Sequence, residues 1–330
     1  MAGLNALFDK RKLALARARI HAWWEGEDFD EAAAEAAFDA AREAQATADA
    51  QAAIENALFD APPFELPGRL VALGLLWGEG RIRPGEAVVE AELVARLAIG
   101  EGGLLAVLGP GLEAPLAAMS TVHPGGIETF EWREETFAAL EHGVSQAEFG
   151  ARVGLSRIDL ESHVFAPAVY DGLLSVDDFA YCSFAPHLAQ QMLKCLKPGA
   201  RAIVECYVGE PSHAYATAFA SCFAEPQIRP ASDLTRVFGD TGFLIEAEED
   251  VTDPFLATAR AGFKRLGERL NEAGGLSVSA AQELAWEAQA WRARMSLLAQ
   301  RRLERRRFVL QRPHAAVPPA QSENENAPAG

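Results

Sequence analysis

Downstream of Leu104 the chain alternates short apolar runs with stretches in which apolar side chains recur at helical spacing. Strands are predicted at Leu104 to Leu108, Gly126 to Glu131, Ile158 to Leu160, Tyr170 to Leu174, Ala200 to Tyr207, Phe243 to Ala247 and Phe308 to Leu310. Helices are predicted at Ala114 to Thr121, Glu134 to Glu148, Pro186 to Cys195, Ser232 to Gly239, Phe255 to Asn271 and Ala280 to Arg305. Strands that alternate with helices of this length make βαβ units, so the fold class expected is α/β with a doubly wound, mostly parallel sheet.

The text before this region is different. Leu66 to Ile99 holds the apolar run Leu70, Val71, Leu73, Leu75, Leu76, then Trp77-Gly78-Glu79-Gly80, Pro84-Gly85, and an amphipathic helix from Glu86 to Ala98. It reads as a helical entry (63–103) to a domain spanning 63–312. Residues 1–62 read as an N-terminal helical, Ala-rich arm or a linker. From Leu4 to Glu25, Leu4, Leu7, Leu13, Leu15 and Ile20 keep helical spacing among Lys10, Arg11, Lys12, Arg17 and Arg19, and Trp23-Trp24 ends the segment. Such a basic helix suits packing on the domain or a partner protein, or contact with a membrane surface. Asp28 to Leu58, dominated by Ala, Glu, Asp and Gln, has helix propensity but little to bury, and Pro62-Pro63 closes it. The tail from Pro313 lacks core-forming residues and is expected to be disordered.

With 330 residues, 49% of them hydrophobic, the chain can bury a substantial core. Its net charge of −17 argues against a nucleic-acid partner, because such a surface repels phosphates. The clearest basic cluster, Arg301, Arg302, Arg305, Arg306 and Arg307, reads as a solvated helix end. Cys182, Cys195, Cys206 and Cys222 are widely spaced and read as reduced core thiols. His123, His142, His163, His187 and His213 show no ligand spacing, so no metal is expected. No run approaches the roughly 18 to 20 apolar residues of a membrane span, and Asp9, Lys10, Arg11 and Lys12 come too early for a signal peptide. A cytoplasmic location is expected.

In doubly wound sheets the ligand lies outside the carboxyl ends of the strands, where a glycine turn lets the backbone come close. Gly109 and Gly111 occupy such a turn after the first strand. The second strand ends in Glu131, and a carboxylate there can accept both hydrogen bonds of a ribose diol. Asp159, in the third strand, could accept from an adenine amino group; a surface carboxylate is the alternative. "VSQAEFGARVGLSRIDLES" reads locally like a helix-turn-helix with Gly154-Leu155-Ser156 as its turn, but suits a connection between the second and third strands better. Glu205 and Tyr207, at the end of the fifth strand, could border an acceptor or be plain strand residues.

The run "VYDGLLSVDDFAYCSFAPHLAQQMLKCLKPGARAIVECYVGEP", with its Lys197-Pro198-Gly199 turn, is followed by "ASDLTRVFGDTGFLIEAEEDVTDP". Together with "WGEGRIRPGEAVVEAELVARLAIGEGGLLAVLGPGLEAP", these closely resemble class I S-adenosylmethionine-dependent methyltransferases, in particular the small-molecule branch with the phosphoethanolamine and sterol enzymes. The resemblance covers about Leu70 to Pro313 and implies a seven-stranded sheet whose last strand is antiparallel. It also implies S-adenosylmethionine as cofactor, held by Gly109, Gly111, Glu131 and Asp159, with Trp77 and Gly78 closing the pocket. The acceptor implied is a small molecule or lipid headgroup, and no catalytic residue is specified, because holding the methyl in line supplies much of the rate. The first motif departs from the family pattern: Val107 stands where an acid is expected, and Glu113 and Ala114 where later glycines fall. Glu113 could swing to the methionine ammonium group in compensation. The loop Ser175-Val176-Asp177-Asp178-Phe179 does not match the N-P-P-Y type motif of base and amide methylation. Two functions remain: methyl transfer to a small acceptor, and a catalytically inactive methyltransferase-like interaction module.

Overall fold

The computed structural model describes residues 15, 18–19, 29–60, 64–210, 227–273 and 275–314 of the chain. Two compact units divide it, residues 1–65 and 66–330. In the first, helix α1 (Glu31–Asp60) is alanine-rich and polar, and the Asp30 carboxylate caps it by accepting from the Ala33 N–H at 3.0 Å. The basic helix expected over Leu4 to Glu25 falls almost entirely outside the described residues, as do Cys222, His213 and the tail beyond 314.

The second unit opens with α2 (Gly68–Trp77) and α3 (Ala87–Arg96). Then follow β1 (Leu105–Leu108), α4 (Glu113–Val122), β2 (Ile127–Glu131), α5 (Glu134–Gln146), β3 (Val153–Arg157), β4 (Tyr170–Val176) and α6 (Ala185–Cys195). The chain continues through β5 (Leu196–Val208), α7 (Ala231–Thr241), β6 (Leu244–Asp250), α8 (Thr252–Glu272), α9 (Val278–Ala299) and β7 (Glu304–Gln311). The seven strands form one sheet in the order β3-β2-β1-β4-β5-β7-β6. β1 to β5 pair in parallel, whereas β7 runs antiparallel to both β5 and β6, between them. The expected doubly wound sheet with an antiparallel last strand is therefore present.

Period-two alternation decides what each face of the sheet buries. On one face Leu108, Leu173, Val204 and Phe308 pack against Leu188, Met192 and Phe238 of α6 and α7. On the other, Leu105, Val107, Leu174 and Ile203 meet Leu93 of α3, Met119 of α4 and Leu140 of α5. β1 is buried along its whole length, as a central parallel strand must be.

Three expectations need correction. The third strand is Val153–Arg157, not Ile158 to Leu160. β3 lies at the sheet edge and is only half-buried, so its apolar signal is weak, while Ile158 and Leu160 are buried beyond its end and mimic a strand. That strand also contains Gly154-Leu155-Ser156, which removes the helix-turn-helix. The last helix ends at Ala299 and not at Arg305. Arginine has good helix propensity, but tertiary pairing places Glu304 to Arg307 in β7. The basic cluster is accordingly not a solvated helix end, since Arg305 is 1% exposed.

Cys182, Cys195 and Cys206 are buried free thiols, each pushed by burial up to about 12. Among the described residues no helix is long and apolar enough to cross a membrane.

Beside the sheet, α2, α8 and α9 pack into a helical layer around Leu73, Leu76, Trp77 and Trp291. α8 comes close to α2 at Gly262, where a Cβ would stand 2.7 Å from the Leu76 carbonyl oxygen and 2.8 Å from the Trp77 ring. Gly267, on the same helix, has nothing within 4 Å of that position. Gly262→Ala is expected to destabilise the domain by about 1 to 3 kcal/mol through overpacking, and Gly267→Ala to stabilise it by up to ~1 kcal/mol through helix propensity. Urea denaturation of the two variants measures the opposite signs.

Candidate functional site

β1 ends in a turn built from Gly109 (φ 61°) and Gly111 (φ 85°), backbone that side-chain-bearing residues rarely adopt. The Gly109 N–H donates to the Phe130 carbonyl at 2.9 Å, which ties the turn to β2. Both glycines are also needed for space. A Cβ on Gly109 would run into the Asp178 carboxylate and lie 2.9 Å from the Val176 carbonyl, and one on Gly111 would lie 2.7 Å from the Ile82 side chain. From the entry segment Arg83 donates to the Gly109 and Pro110 carbonyls at 2.8 and 3.0 Å.

Glu131 closes the end of β2 with no exposed surface. Its Oε1 accepts from the Trp132 and Arg133 N–H groups at 3.0 Å each and from Arg133 Nε at 2.7 Å. Its Oε2 accepts from the Gly111 N–H at 3.1 Å and from Arg133 Nη2 at 2.9 Å. A carboxylate offers about four lone-pair sites, so Glu131 is saturated by the protein itself. Arg133 lies over the Trp132 ring, 4.7 Å from its centroid.

The Trp132 indole N–H donates to Asp178 Oδ1 at 3.0 Å, and the Ser175 hydroxyl donates to Asp178 Oδ2 at 2.7 Å. Burial pushes the Asp178 carboxyl up to about 7, against the lowering effect of Ser175 and Arg133. Its neighbour Asp177 behaves oppositely. Burial would raise it, but Arg305 and Arg83 outweigh burial and hold it below the usual carboxylate range. Asp177 pairs with the buried Arg305, which also approaches Glu205 at 3.5 Å; Glu205 pairs in turn with Arg307 at 2.7 Å.

Gly109, Gly111 and Glu131 thus come together as expected. Asp159 stands two residues beyond β3, next to Ile158, whose N–H donates to the Glu131 carbonyl at 3.1 Å. It sits in an exposed loop beyond β3, and its carboxylate is used locally by the Glu161 N–H at 3.0 Å and the Ser162 hydroxyl at 2.8 Å. Trp77 and Gly78 lie in the helical layer and border a separate cleft with Arg265 and Arg269; the Trp77 ring stacks edge-on to Trp291 at 4.5 Å. Glu113, at the start of α4, has its two carboxylate oxygens in the gaps left by Gly80 and Gly143. Val107 is fully buried in the core. Glu205 lines a cavity on the α3 side of the sheet, whereas Tyr207 is buried beneath Arg305, 4.7 Å from its ring. Among the described residues no cluster of His, Cys, Asp or Glu could hold a metal ion.

No protein-family model and no curated protein matches the sequence. Solved structures do match. Phosphoethanolamine N-methyltransferase 2 of Haemonchus contortus, bound to phosphomonomethylethanolamine and S-adenosylhomocysteine, superposes with a TM-score of 0.62 at 18% identity, over 74% of this chain and 57% of that one. A sarcosine dimethylglycine methyltransferase assigned in Galdieria sulphuraria gives 0.61 at 11% identity, over 74% and 98%. The 4+2 cyclase SpnF gives 0.59 at 15% identity, over 75% and 94%.

The chain has the class I methyltransferase fold.

Within that fold, the residues that sequence reasoning passed over are the arginines. Arg133 stands two positions after Glu131, the spacing at which an extended chain returns a side chain to the same side. Arg83 and Arg305 come from segments about 26 residues before the turn and far beyond it, and no local pattern connects them to it. Asp178 stood in plain view after β4, but only its burial marks it.

The Asp178 carboxyl is raised in the folded state, so the native protein holds a proton that the unfolded chain releases from about pH 4 upward. Its contribution to stability is therefore lost as pH rises to about 7. Asp178→Asn keeps an acceptor for Trp132 and carries no charge. It is expected to flatten the decline in Tm between pH 5 and pH 8, which differential scanning calorimetry across that range measures.

Proposed function

We propose that this chain transfers a methyl group from S-adenosylmethionine to a small-molecule or lipid-headgroup acceptor. The observation that carries this reading is the approach of Glu131 to the left-handed glycine turn, its carboxylate 3.1 Å from the Gly111 N–H, at the carboxyl edge of the sheet. The solved neighbours that bind the cofactor or its demethylated product support it by analogy of fold.

The donor set fits an adenosine ligand once one side chain moves. Two of the five hydrogen bonds on Glu131 that come from the Arg133 guanidinium are what the two hydroxyls of a ribose diol would replace. Arg133 has a way out, because its side chain is 22% exposed and already lies along the Trp132 ring. Gly109, Gly111 and Glu131 would hold the nucleoside end, and Trp132 supplies an aromatic surface beside it. The cofactor, when bound, supplies an electrophilic methyl group. The chain's own part is to orient the acceptor and exclude water, which makes proximity the main source of rate.

A second reading has its own support: a methyltransferase-fold module without catalysis. The self-saturation of Glu131 and the apolar Val107 in place of an acid favour it.

Calorimetric titration with S-adenosylmethionine and S-adenosylhomocysteine separates the two. Wild type is expected to bind both. Arg133→Ala is expected to bind about tenfold or more tightly, because a competing charge-assisted hydrogen bond of ~1.5 to 3 kcal/mol is removed. Glu131→Ala is expected to lose binding. If neither wild type nor Arg133→Ala binds at millimolar concentration, methyl transfer is withdrawn and the module reading stands.

A further inference from the structure

At the carboxyl edge of the sheet three carboxylates lie close together, and two of them have cations of their own. Glu131 pairs with Arg133 at 2.7 Å, and Asp177 pairs with Arg305. Asp178, only 1% exposed, is held by neutral donors instead: the Trp132 indole N–H at 3.0 Å on Oδ1 and the Ser175 hydroxyl at 2.7 Å on Oδ2. Its carboxylate is wedged against the glycine turn, where a Cβ on Gly109 would run into it. The charged groups that face it are Glu131 and Arg133 from the end of β2 and Arg83 from the entry segment, with Asp177 beside it in the chain. Both arginines attract it through space while giving their hydrogen bonds elsewhere, Arg133 to Glu131 and Arg83 to the Gly109 and Pro110 carbonyls. Tyr181, three residues on, lies 4.6 Å from the Trp132 ring.

An ionised carboxylate that has exchanged water for neutral donors is costly, so burial pushes Asp178 up to about 7, with Ser175, Arg133 and Trp132 pulling it down and Glu131 adding to the push. Near neutral pH the edge therefore passes between two states that differ by one negative charge. A ligand senses that difference through its own charge. S-adenosylmethionine carries a positive sulfonium where its demethylated product has a neutral thioether, and the two are otherwise alike. A unit charge within about 10 Å of another, at effective dielectric constants from about 80 down to about 20, changes affinity by roughly two- to fifteenfold. Any displacement of Arg133 from Glu131 by the ribose is common to both ligands and drops out of the ratio of their affinities.

From the buried Asp178 carboxyl, wedged against Gly109 and held by two neutral donors, we infer that this side chain sets the selectivity of the site between the cationic cofactor and its neutral product. The inference rests on reading the glycine turn and Glu131 as an S-adenosylmethionine site. Ionised Asp178 favours the cofactor, and protonation removes the preference. By linkage the cofactor expels the Asp178 proton when it binds, whereas the product leaves it in place.

The test is calorimetric titration of the full chain with S-adenosylmethionine and with S-adenosylhomocysteine from about pH 5.5 to about pH 8.5. The ratio of the two affinities is expected to move toward the cofactor by about threefold or more as pH rises, with its midpoint near 7. Asp178→Asn, neutral at every pH, is expected to lose that movement. Ionisation of the ligands' own amino groups is the same for both proteins, so their difference isolates the side chain. Ser175→Ala removes a hydrogen bond to the ionised form and is expected to shift the midpoint to higher pH, which a merely structural role would not do. Wild type alone, titrated at about pH 6.5 in buffers of different ionisation enthalpy, is expected to release more protons with the cofactor than with the product, and this needs no variant to fold. A wild-type ratio that follows Asp178→Asn at every pH, a midpoint unmoved in Ser175→Ala, or equal proton release with the two ligands would each overturn the inference while leaving methyl transfer intact. If neither ligand binds, methyl transfer and this inference are withdrawn together.

Discussion

A carboxylate removed from water must have its lone pairs filled, and at Glu131 the protein fills all of them. That requirement fixes the geometry of the carboxyl edge. It holds the Gly111 N–H toward β2, draws Arg133 back over Trp132, and through the Trp132 indole reaches Asp178 beyond β4. A break at Glu131 would leave a guanidinium and three backbone N–H groups to find other partners. The glycine turn, whose first position has the Asp178 carboxylate directly against it, owes its tight fit to the same chain of contacts.

This edge also separates fold from function. The sheet order and the antiparallel β7 identify the scaffold, and scaffolds of this kind carry different chemistry: SpnF, with nearly its whole length superposed, is a 4+2 cyclase. What a given member does depends on side chains at the carboxyl edge, and here those side chains are unusually well satisfied by one another. Asp177 and Asp178 show how local the control is. Adjacent in sequence and both withdrawn from solvent, one is held ionised by Arg305 while the other is held toward its neutral form by burial.

Much of the sheet is legible because buried parallel strands leave short apolar runs, as in β1, β4 and β5; β2 keeps only alternating apolar positions, and the antiparallel edge strand β6 is marked by Phe243-Leu244-Ile245. β3, a half-buried edge strand, leaves no such run, and the start of β7 is masked by arginines that carry helix propensity but are held by Asp177, just beyond β4, and by Glu205 of β5. At the site, Gly109, Gly111 and Glu131 could be read from spacing along the chain. Asp159 could not be separated from a turn-forming aspartate, because both look like an acid following an apolar residue. The partners of Glu131 and Asp177 were out of reach, since pairing across the sheet is a property of three-dimensional register.

The place of β7 has a further consequence. Every backbone bond that joins β6 to the sheet runs through β7, and β7 also delivers Arg305 to Asp177 and Arg307 to Glu205. During synthesis, then, a ribosome that has released everything up to α9 has released a sheet that ends at β5, with β6 unattached and Asp177 without its arginine. β7, made after both of its neighbours, takes its place between them. The order of translation and the order of the sheet are opposed at this point, and the Asp177–Arg305 and Glu205–Arg307 pairs form only when they are reconciled.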